Sequence, residues 1–216
     1  LLACAQSAPT KSDLQQYSII VVRDKSIKKE IADLIPSMPW IDNAPVFLGF
    51  FGDVRRIRCL AKLKNRRYAN NNADTFLNAA VDAALAMQMF INAAESAGLG
   101  CCPISYVRNR IEDYAAILKL PDGVFPIAGL TLGWPAQNGY VSMRLPQETV
   151  IHHDYYDDSN LESEVKAYDD RNHDRFPLTP DKQRHTDSYG VLDKCTWSEN
   201  VTRQLSFPER EGLARW

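Results

Sequence analysis

A polar segment near the start of the chain, Ser-Ala-Pro-Thr-Lys-Ser-Asp-Leu-Gln (residues 7–15), carries residue types that bind phosphate or a sugar chain. Thr10 and Ser12 supply hydroxyl groups, and Gln15 supplies a side-chain amide. Pro9 interrupts any helix there, so backbone N–H groups stay free to donate to a phosphate or a ribityl chain. The alternative is a plain capping turn, since Ser, Thr, Asp and Pro are ordinary turn residues. We call residues 7–15 the polar turn.

Two further places could contribute to such a site. Residues 101–106 (Cys-Cys-Pro-Ile-Ser-Tyr) follow Gly98-Leu-Gly100 and predict a loop whose backbone approaches a flat group. The alternative there is a plain connector between two helices. Arg144 is a lone cation after a Gly-Trp-Pro turn, and arginine suits a bidentate contact with phosphate. A solvated surface arginine is the alternative.

Other kinds of chemistry find no support in the sequence. His152-His153, His173 and His185 match no standard ligand spacing, so we predict no metal. The chain has no G-x-S-x-G, H-E-x-x-H, P-loop or G-x-G-x-x-G motif, which removes support for a hydrolase, an NTPase or a Rossmann domain. Five scattered cysteines without a C-x-x-C pair favour a reducing, cytoplasmic compartment.

The elements that must position these residues alternate along the chain. Apolar, β-branched runs predict strands, and apolar residues at helical spacing between charges predict helices. The predicted strands are 17–22, 44–51 and 124–132, and the predicted helices are 26–35, 54–64, 75–97 and 108–119. Helix 75–97 is rich in alanine, which lets another backbone come close, so we place it at the centre of the fold or of a dimer. Helices separated by strands predict a layered α+β or α/β class.

Length, composition and charge limit the domain organisation and the kind of partner. The chain has 216 residues, is 45% hydrophobic and has a formal net charge of −2, which suits a single domain and no nucleic-acid partner. We expect Leu1–Cys4 to be the tail of a helix rather than a lipoprotein box. No apolar stretch looks long enough to span a bilayer.

The polar stretch 147–200 predicts an extended, partly helical arm rather than a second domain.

Several segments, taken in order, resemble the nitroreductase superfamily, and within it the NADPH-dependent flavin reductase and oxygen-insensitive nitroreductase branch. They cover about residues 1–156, and it is their order and spacing that is specific. They are the polar turn, Ala44-Pro-Val-Phe-Leu48, Ala94-Glu-Ser-Ala-Gly-Leu-Gly100, Val107-Arg-Asn109, Leu118-Lys-Leu-Pro121, Gly129-Leu-Thr-Leu-Gly-Trp-Pro135 and Arg144-Leu-Pro146.

The resemblance implies an α+β fold with a central mixed sheet flanked by helices, an intertwined homodimer, and FMN at the dimer interface. It implies a ping-pong oxidoreductase that passes electrons from NAD(P)H to nitroaromatic, quinone or flavin acceptors. The FMN itself carries the chemistry, so no catalytic side chain is expected. The residues implied to contact FMN are Thr10, Ser12 and Gln15, then Pro103, Ile104, Ser105 and Tyr106 along the ring, and Arg144 at the phosphate.

The later part of the chain carries a further expectation. Lys182 and Arg184, with His185, resemble a basic segment that recognises the 2′-phosphate of NADPH in this branch. The preference for NADPH over NADH is therefore a hypothesis.

The chain departs from the family pattern in four places. The family's opening His-Arg-Ser-x-Arg segment would precede Leu1. Met38 stands where a glutamine is usual, Ser142 where a lysine is usual, and Ser105-Tyr106 where Gly-Gly is usual. These departures leave a rival interpretation, a degenerate or truncated flavin-binding member without turnover.

Overall fold

The computed structural model describes residues 1–206, which divide into two compact units, residues 1–138 and residues 139–206. Each unit has its own helices and its own buried side chains. A single domain over residues 1–216 stays a prediction, and residues 207–216 of it lie outside the described part.

The first unit alternates helices and strands, as the sequence predicts. Its elements in chain order are α1 (Leu2–Gln6), β1 (Tyr17–Val22), α2 (Lys25–Asp33), α3 (Trp40–Asn43), β2 (Val46–Asp53), α4 (Arg55–Leu63), α5 (Ala73–Ser96), β3 (Gly100–Ile104), α6 (Ile111–Ile117) and β4 (Val124–Gly133). Side chains fix two of the helix starts. Asp24 accepts from the Ser26 N–H at 2.8 Å, and Asn72 accepts from the Thr75 N–H at 3.1 Å. The expected helix at Leu1–Cys4 is confirmed by α1.

The four strands form one sheet in the order β1-β2-β4-β3, and all three neighbouring pairs are antiparallel. The α+β class is thereby confirmed, but the described residues contain no parallel pair that would make the sheet mixed. β2 and β3 do run in the same direction. They form no parallel pair because β4 lies between them.

Residues 101–106 are not the loop that we expected. Gly100–Ile104 is an edge strand that pairs with β4, with Cys101 opposite Leu132 and Ile104 opposite Gly129. The sequence Gly-Cys-Cys-Pro-Ile has no alternating or β-branched pattern, so nothing local predicts a strand. Pairing with β4 overrides local propensity, and Pro103 is tolerated because the strand lies at an edge of the sheet.

Helices cover both faces of the sheet. β2 sends Phe47 and Phe51 to the face covered by α2, α3 and α6, and it sends Leu48 and Phe50 to the face covered by α5. Gly49 lies where a Cβ atom would come within 2.4 Å of the Phe51 ring. The absence of that atom lets the large rings pack over the strand.

Helix α5 has two unlike sides. Its inner side packs Ala79, Ala83 and Phe90 toward the sheet, while Leu77 and Val81 on the outer side are 58% and 46% exposed. By length and composition α5 could cross a membrane, contrary to the expectation that no stretch is long enough. A core helix has the same composition, and the contacts of α5 with every strand are those of a core helix.

The second unit contains α7 (Gln147–Val150), α8 (Leu161–Arg175), α9 (Thr186–Tyr189) and α10 (Trp197–Leu205). Residues 147–200 are therefore a compact helical unit and not the extended arm that the polar composition predicted. Tyr168 and Cys195 are buried, and the Tyr168 ring meets the Trp197 ring edge-on at 5.2 Å. Its buried polar side chains are hydrogen-bonded, and Asp169, for example, accepts from the Ser198 N–H at 3.0 Å.

Candidate functional site

The polar turn connects α1 to β1 and has an irregular backbone. A short 3₁₀ turn spans Lys11–Asp13, and Ser12, Asp13 and Gln15 all have positive φ, at 49°, 57° and 50°. For residues other than glycine this region costs about 1–2 kcal/mol each. Such a conformation persists only where the surrounding structure holds it.

Asp82 on α5 holds the turn from the inside. One carboxylate oxygen accepts from the Lys11 N–H at 2.9 Å, and the other accepts from the Gln16 N–H at 3.0 Å. Asp82 is 1% exposed, so both bonds lie in the interior of the unit. One side chain thus holds the middle of the turn, at Lys11, and the residue that follows it, Gln16.

Arg56 holds the same turn from the outside. Its guanidinium donates to the Gln15 carbonyl at 2.8 Å, to Ser18 Oγ at 2.9 Å and to Asp53 Oδ2 at 3.1 Å. Ser18 also donates to Asp53 Oδ2 at 2.6 Å. This network fixes the end of the turn where the chain enters β1.

The turn presents its polar side chains outward. Ser12 and Gln15 are exposed and Thr10 is half-buried. The Gln15 amide donates to Asp13 Oδ1 at 2.9 Å. A groove of about 470 Å³ lies beside Gln15, and α1 and Tyr17 line it further along. Burial raises the pKa of the Tyr17 hydroxyl, while the nearby Arg56 opposes that rise. The turn therefore exposes the Ser12 hydroxyl and the Gln15 amide, and Gln15 also lines the groove.

Residues 103–106, which we call the β3 exit, do not all face the surface. Pro103 and Tyr106 are exposed, Tyr106 by 47%, whereas Ile104 is 1% exposed and packs in the core beside Val107. Ile104 can therefore offer only its backbone to a ligand. Ser105 begins a 3₁₀ turn and accepts the Arg108 N–H on its carbonyl at 3.1 Å.

The polar turn and the β3 exit belong to opposite edges of the sheet. The row of paired residues that begins at Ile104 on β3 ends at Ile20 on β1. That row crosses three inter-strand spacings, which is about 14 Å. Within one chain the two segments are therefore well separated.

Arg144 belongs to the second unit. It is exposed, and its guanidinium donates to Ser142, both to the hydroxyl group and, at 3.2 Å, to the carbonyl. A groove of about 580 Å³ lies beside it, also lined by Tyr168 and Trp197. Ser142, which stands where the family has a lysine, thus orients the arginine without adding a positive charge. Lys182 and Arg184 are exposed in the same unit.

The histidines form no site that we can identify. Among residues 1–206 no group of three or more His, Cys, Asp or Glu side chains could hold a metal ion. The His152 ring packs on Tyr156 at 4.4 Å between centroids, and its Nδ1 accepts from the Asp157 N–H at 3.4 Å. The absence of a metal in the protein stays a prediction.

Sequence reasoning missed the residues that hold the polar turn. Asp82 does leave a signal, because it lies three positions after Ala79 and four before Ala86, on the buried side of α5. A carboxylate in such a place needs a partner, since burying a charge alone is costly. The partners lie 71 and 66 residues away in the chain, so the sequence does not name them.

The comparisons with known proteins fit both units. The model of the nitroreductase family matches residues 1–134, and that of the nitroreductase family C-terminal domain matches residues 142–216. An "FMN reductase [NAD(P)H]" of Bacillus subtilis is 40% identical over 174 residues, covering 79% of this chain and 70% of the relative. An "oxygen-insensitive NADPH nitroreductase" of Salmonella typhimurium is 32% identical over 205 residues, covering 95% and 80%.

A solved structure agrees with these relatives. A nitroreductase from B. subtilis superposes with a TM-score of 0.87 at 31% identity, covering 99% of this chain and 85% of its own. The fold, the ordered motifs and the relatives all indicate the same family. The chain belongs to the nitroreductase family, in the branch that contains flavin reductases and NADPH nitroreductases.

Proposed function

We propose that this protein is an FMN-dependent oxidoreductase that takes reducing equivalents from NAD(P)H and passes them to electron-poor acceptors by a ping-pong mechanism. The proposal rests on the fixed polar turn, whose Thr10, Ser12 and Gln15 present donors to open space. The relatives named FMN reductase and NADPH nitroreductase support FMN as cofactor and NAD(P)H as co-substrate. Nitroaromatic, quinone and flavin compounds are the proposed acceptors.

The described donors fit the chemistry of FMN. A phosphate needs charge-assisted or neutral N–H and O–H donors, and a ribityl chain needs partners that both donate and accept. Ser12 and Thr10 would bind the ribityl or phosphate oxygens, Gln15 would bind with its amide, and Arg144 would bind the phosphate. When bound, FMN supplies the ring that accepts a hydride and gives up electrons.

The chain's own groups hold and shield that ring in this proposal. Ile104, Ser105 and Tyr106 of the β3 exit would lie along it, and Ile104 would offer only its backbone because its side chain is buried. Pro103 completes the same wall. NAD(P)H and the acceptor occupy one groove in turn, which is the basis of the ping-pong order.

We further propose a homodimer whose interface includes the outer side of α5. Leu77, Val81 and Leu85 recur at every fourth position and are 58%, 46% and 38% exposed. An exposed apolar stripe of this kind is typical of a protein–protein surface. The separation of the polar turn from the β3 exit gives a second reason, because a ring contacted by both would take one segment from each copy.

Lys182 and Arg184 are the proposed contacts of the NADPH 2′-phosphate. Both cations are exposed on either side of the buried Gln183. We propose the cytoplasm as location, which agrees with five cysteines that are all free. Nucleic acid and membranes are not proposed as partners.

A single preparation tests the main proposal. The purified protein should be yellow or should turn yellow on reconstitution with FMN, and its flavin absorbance should bleach when NADPH is added without oxygen. The rival interpretation, a degenerate or truncated member without turnover, is favoured by the departures from the family pattern at Met38, Ser142 and Tyr106. Of these, Tyr106 is exposed at the β3 exit. Colourless protein that cannot take up FMN, or bound flavin that NADPH and NADH both leave oxidised, would favour that rival.

A further inference from the structure

Asp82 is a charged residue in a place where packing alone would favour an apolar one. It lies on the inner side of α5 beside Ala83, and it is 1% exposed. Burying a carboxylate is costly unless its oxygens are hydrogen-bonded. Both oxygens are bonded here, and both bonds go to backbone N–H groups of the segment between α1 and β1.

Those two N–H groups bracket the irregular part of the polar turn. Lys11 and Gln16 are the donors, and the three residues with positive φ, namely Ser12, Asp13 and Gln15, all lie between them. An isolated peptide would leave this conformation for the ordinary regions of φ and ψ. The two bonds to one buried carboxylate oppose that relaxation.

We propose that Asp82 is a positioning residue for the flavin site. It touches no ligand itself, and it fixes the backbone from which Ser12 and Gln15 present their side chains. This inference rests on the proposed function, because the turn is taken to bind FMN. Arg56 assists from the other side through the Gln15 carbonyl, but it reaches only one end of the turn.

The position of Asp82 in the fold separates this role from a general contribution to stability. The turn and α5 lie on one face of the sheet, and the core cluster of Ile31, Ile41 and Phe47 lies on the other. A change in that second cluster lowers stability without touching the turn. That cluster also contains Ile104 of the β3 exit, so the control must lie away from that residue. Ile41 is fully buried on α3, which packs chiefly against α2, and it therefore offers a matched control.

The test uses Asp82→Asn, which keeps the shape of the side chain but replaces one acceptor oxygen by a donor. Asp82→Ala removes both acceptors, and Ile41→Ala is the control. For each full-length protein we would measure the FMN dissociation constant, the melting temperature and the amide exchange of residues 11–16. We expect Asp82→Asn to weaken FMN binding about tenfold, and Asp82→Ala to weaken it further.

Two further results complete the expectation. Amide exchange at Lys11 and Gln16 should speed up in Asp82→Asn, and Ile41→Ala should lower the melting temperature while FMN affinity stays as in the unchanged protein. The inference is overturned if Asp82→Asn binds FMN as tightly as the unchanged protein. It is also overturned if FMN affinity follows the melting temperature in the same way in the Asp82 and Ile41 variants.

Failure of the proposed function would look different. The unchanged protein would then bind no FMN at all, whatever the state of the turn. Amide exchange needs no flavin and still decides the role of Asp82 in that case. Faster exchange at Lys11 and Gln16 in Asp82→Asn would support the positioning role, and unchanged exchange would refute it.

Discussion

Gln183 and Leu192 exchange a pair of hydrogen bonds. The Gln183 amide donates to the Leu192 carbonyl at 2.8 Å, and the Leu192 N–H donates back to Gln183 Oε1 at 2.9 Å. The Gln183 side chain is therefore held inward, while Lys182 and Arg184 on either side of it are exposed. Asn200 fixes the same stretch by accepting the Arg184 N–H at 2.8 Å. Two cations on a fixed backbone suit the recognition of a phosphate group.

Arg184→Ala tests whether this segment recognises NADPH. Removing one charge-assisted bond to the 2′-phosphate should raise KM for NADPH about tenfold, and KM for NADH should change little because NADH has no such phosphate. Steady-state kinetics with both co-substrates measures the difference. Arg171→Ala, an exposed arginine on α8, is the control and should affect neither. Equal effects of Arg184→Ala on both co-substrates would rule the assignment out.

Arg144→Ala tests the phosphate end of the flavin site. The loss of a charge-assisted contact should weaken FMN binding by about 1.5–3 kcal/mol. Riboflavin has the same ring and ribityl chain but no phosphate, so its affinity should not change. Titration of the apoprotein with each flavin gives both values. If riboflavin and FMN lose affinity equally, Arg144 does not contact the phosphate.

The sheet shows which strands the sequence can predict and which it cannot. β1 and β4 are rich in β-branched and apolar residues, so their local pattern predicts strands without reference to the rest of the chain. β3 exists only because β4 offers it hydrogen-bonding partners, and a local pattern holds no information about them. The local pattern does not predict the compact second unit either, because its buried residues include the polar Asp169, Gln183 and Arg203.

The candidate site also has features that the sequence predicts and features that it does not. The donor types of the polar turn were predictable because Ser, Thr and Gln are visible in the sequence. Its conformation was not, because that depends on Asp82 and Arg56, which reach the turn only through the tertiary fold. The resemblance implies that Ile104 lies along the ring, but its side chain is 1% exposed and packs in the core.

Val81→Asp tests the proposed dimer. Val81 lies in the middle of the exposed stripe on α5, so the change should leave the single chain folded. In a symmetric interface the change would bury an unpaired carboxylate in the apolar contact from each copy, at a cost of several kcal/mol, and the dimer should dissociate. Light scattering coupled to size exclusion gives the mass. Leu63→Asp, at an exposed leucine on α4, is the control that should leave the mass unchanged. A dimer that persists in Val81→Asp would place the interface elsewhere.

Tyr114→Phe tests whether the buried Tyr114 hydroxyl lacks a hydrogen-bond partner in the folded protein. The Tyr114 ring is fully buried, stacks on Phe51 at 6.1 Å and lies edge-on to Phe47, yet no group of the described residues bonds its hydroxyl. Burial raises the pKa of that hydroxyl far above its ordinary value. Because removing an unpaired buried polar group relieves its desolvation cost, the free energy of unfolding should rise by up to about 1 kcal/mol.

Tyr168→Phe is the control for Tyr114→Phe, because the Tyr168 hydroxyl is hydrogen-bonded. Its hydroxyl donates to the Met143 carbonyl at 3.1 Å and accepts from the Asn172 amide at 3.3 Å. Deleting it should lower the free energy of unfolding by about 1 kcal/mol, because both partners lose a bond. Urea denaturation of the two variants gives both changes. A loss of stability in Tyr114→Phe as large as that in Tyr168→Phe would mean that the Tyr114 hydroxyl does have a partner in the folded protein.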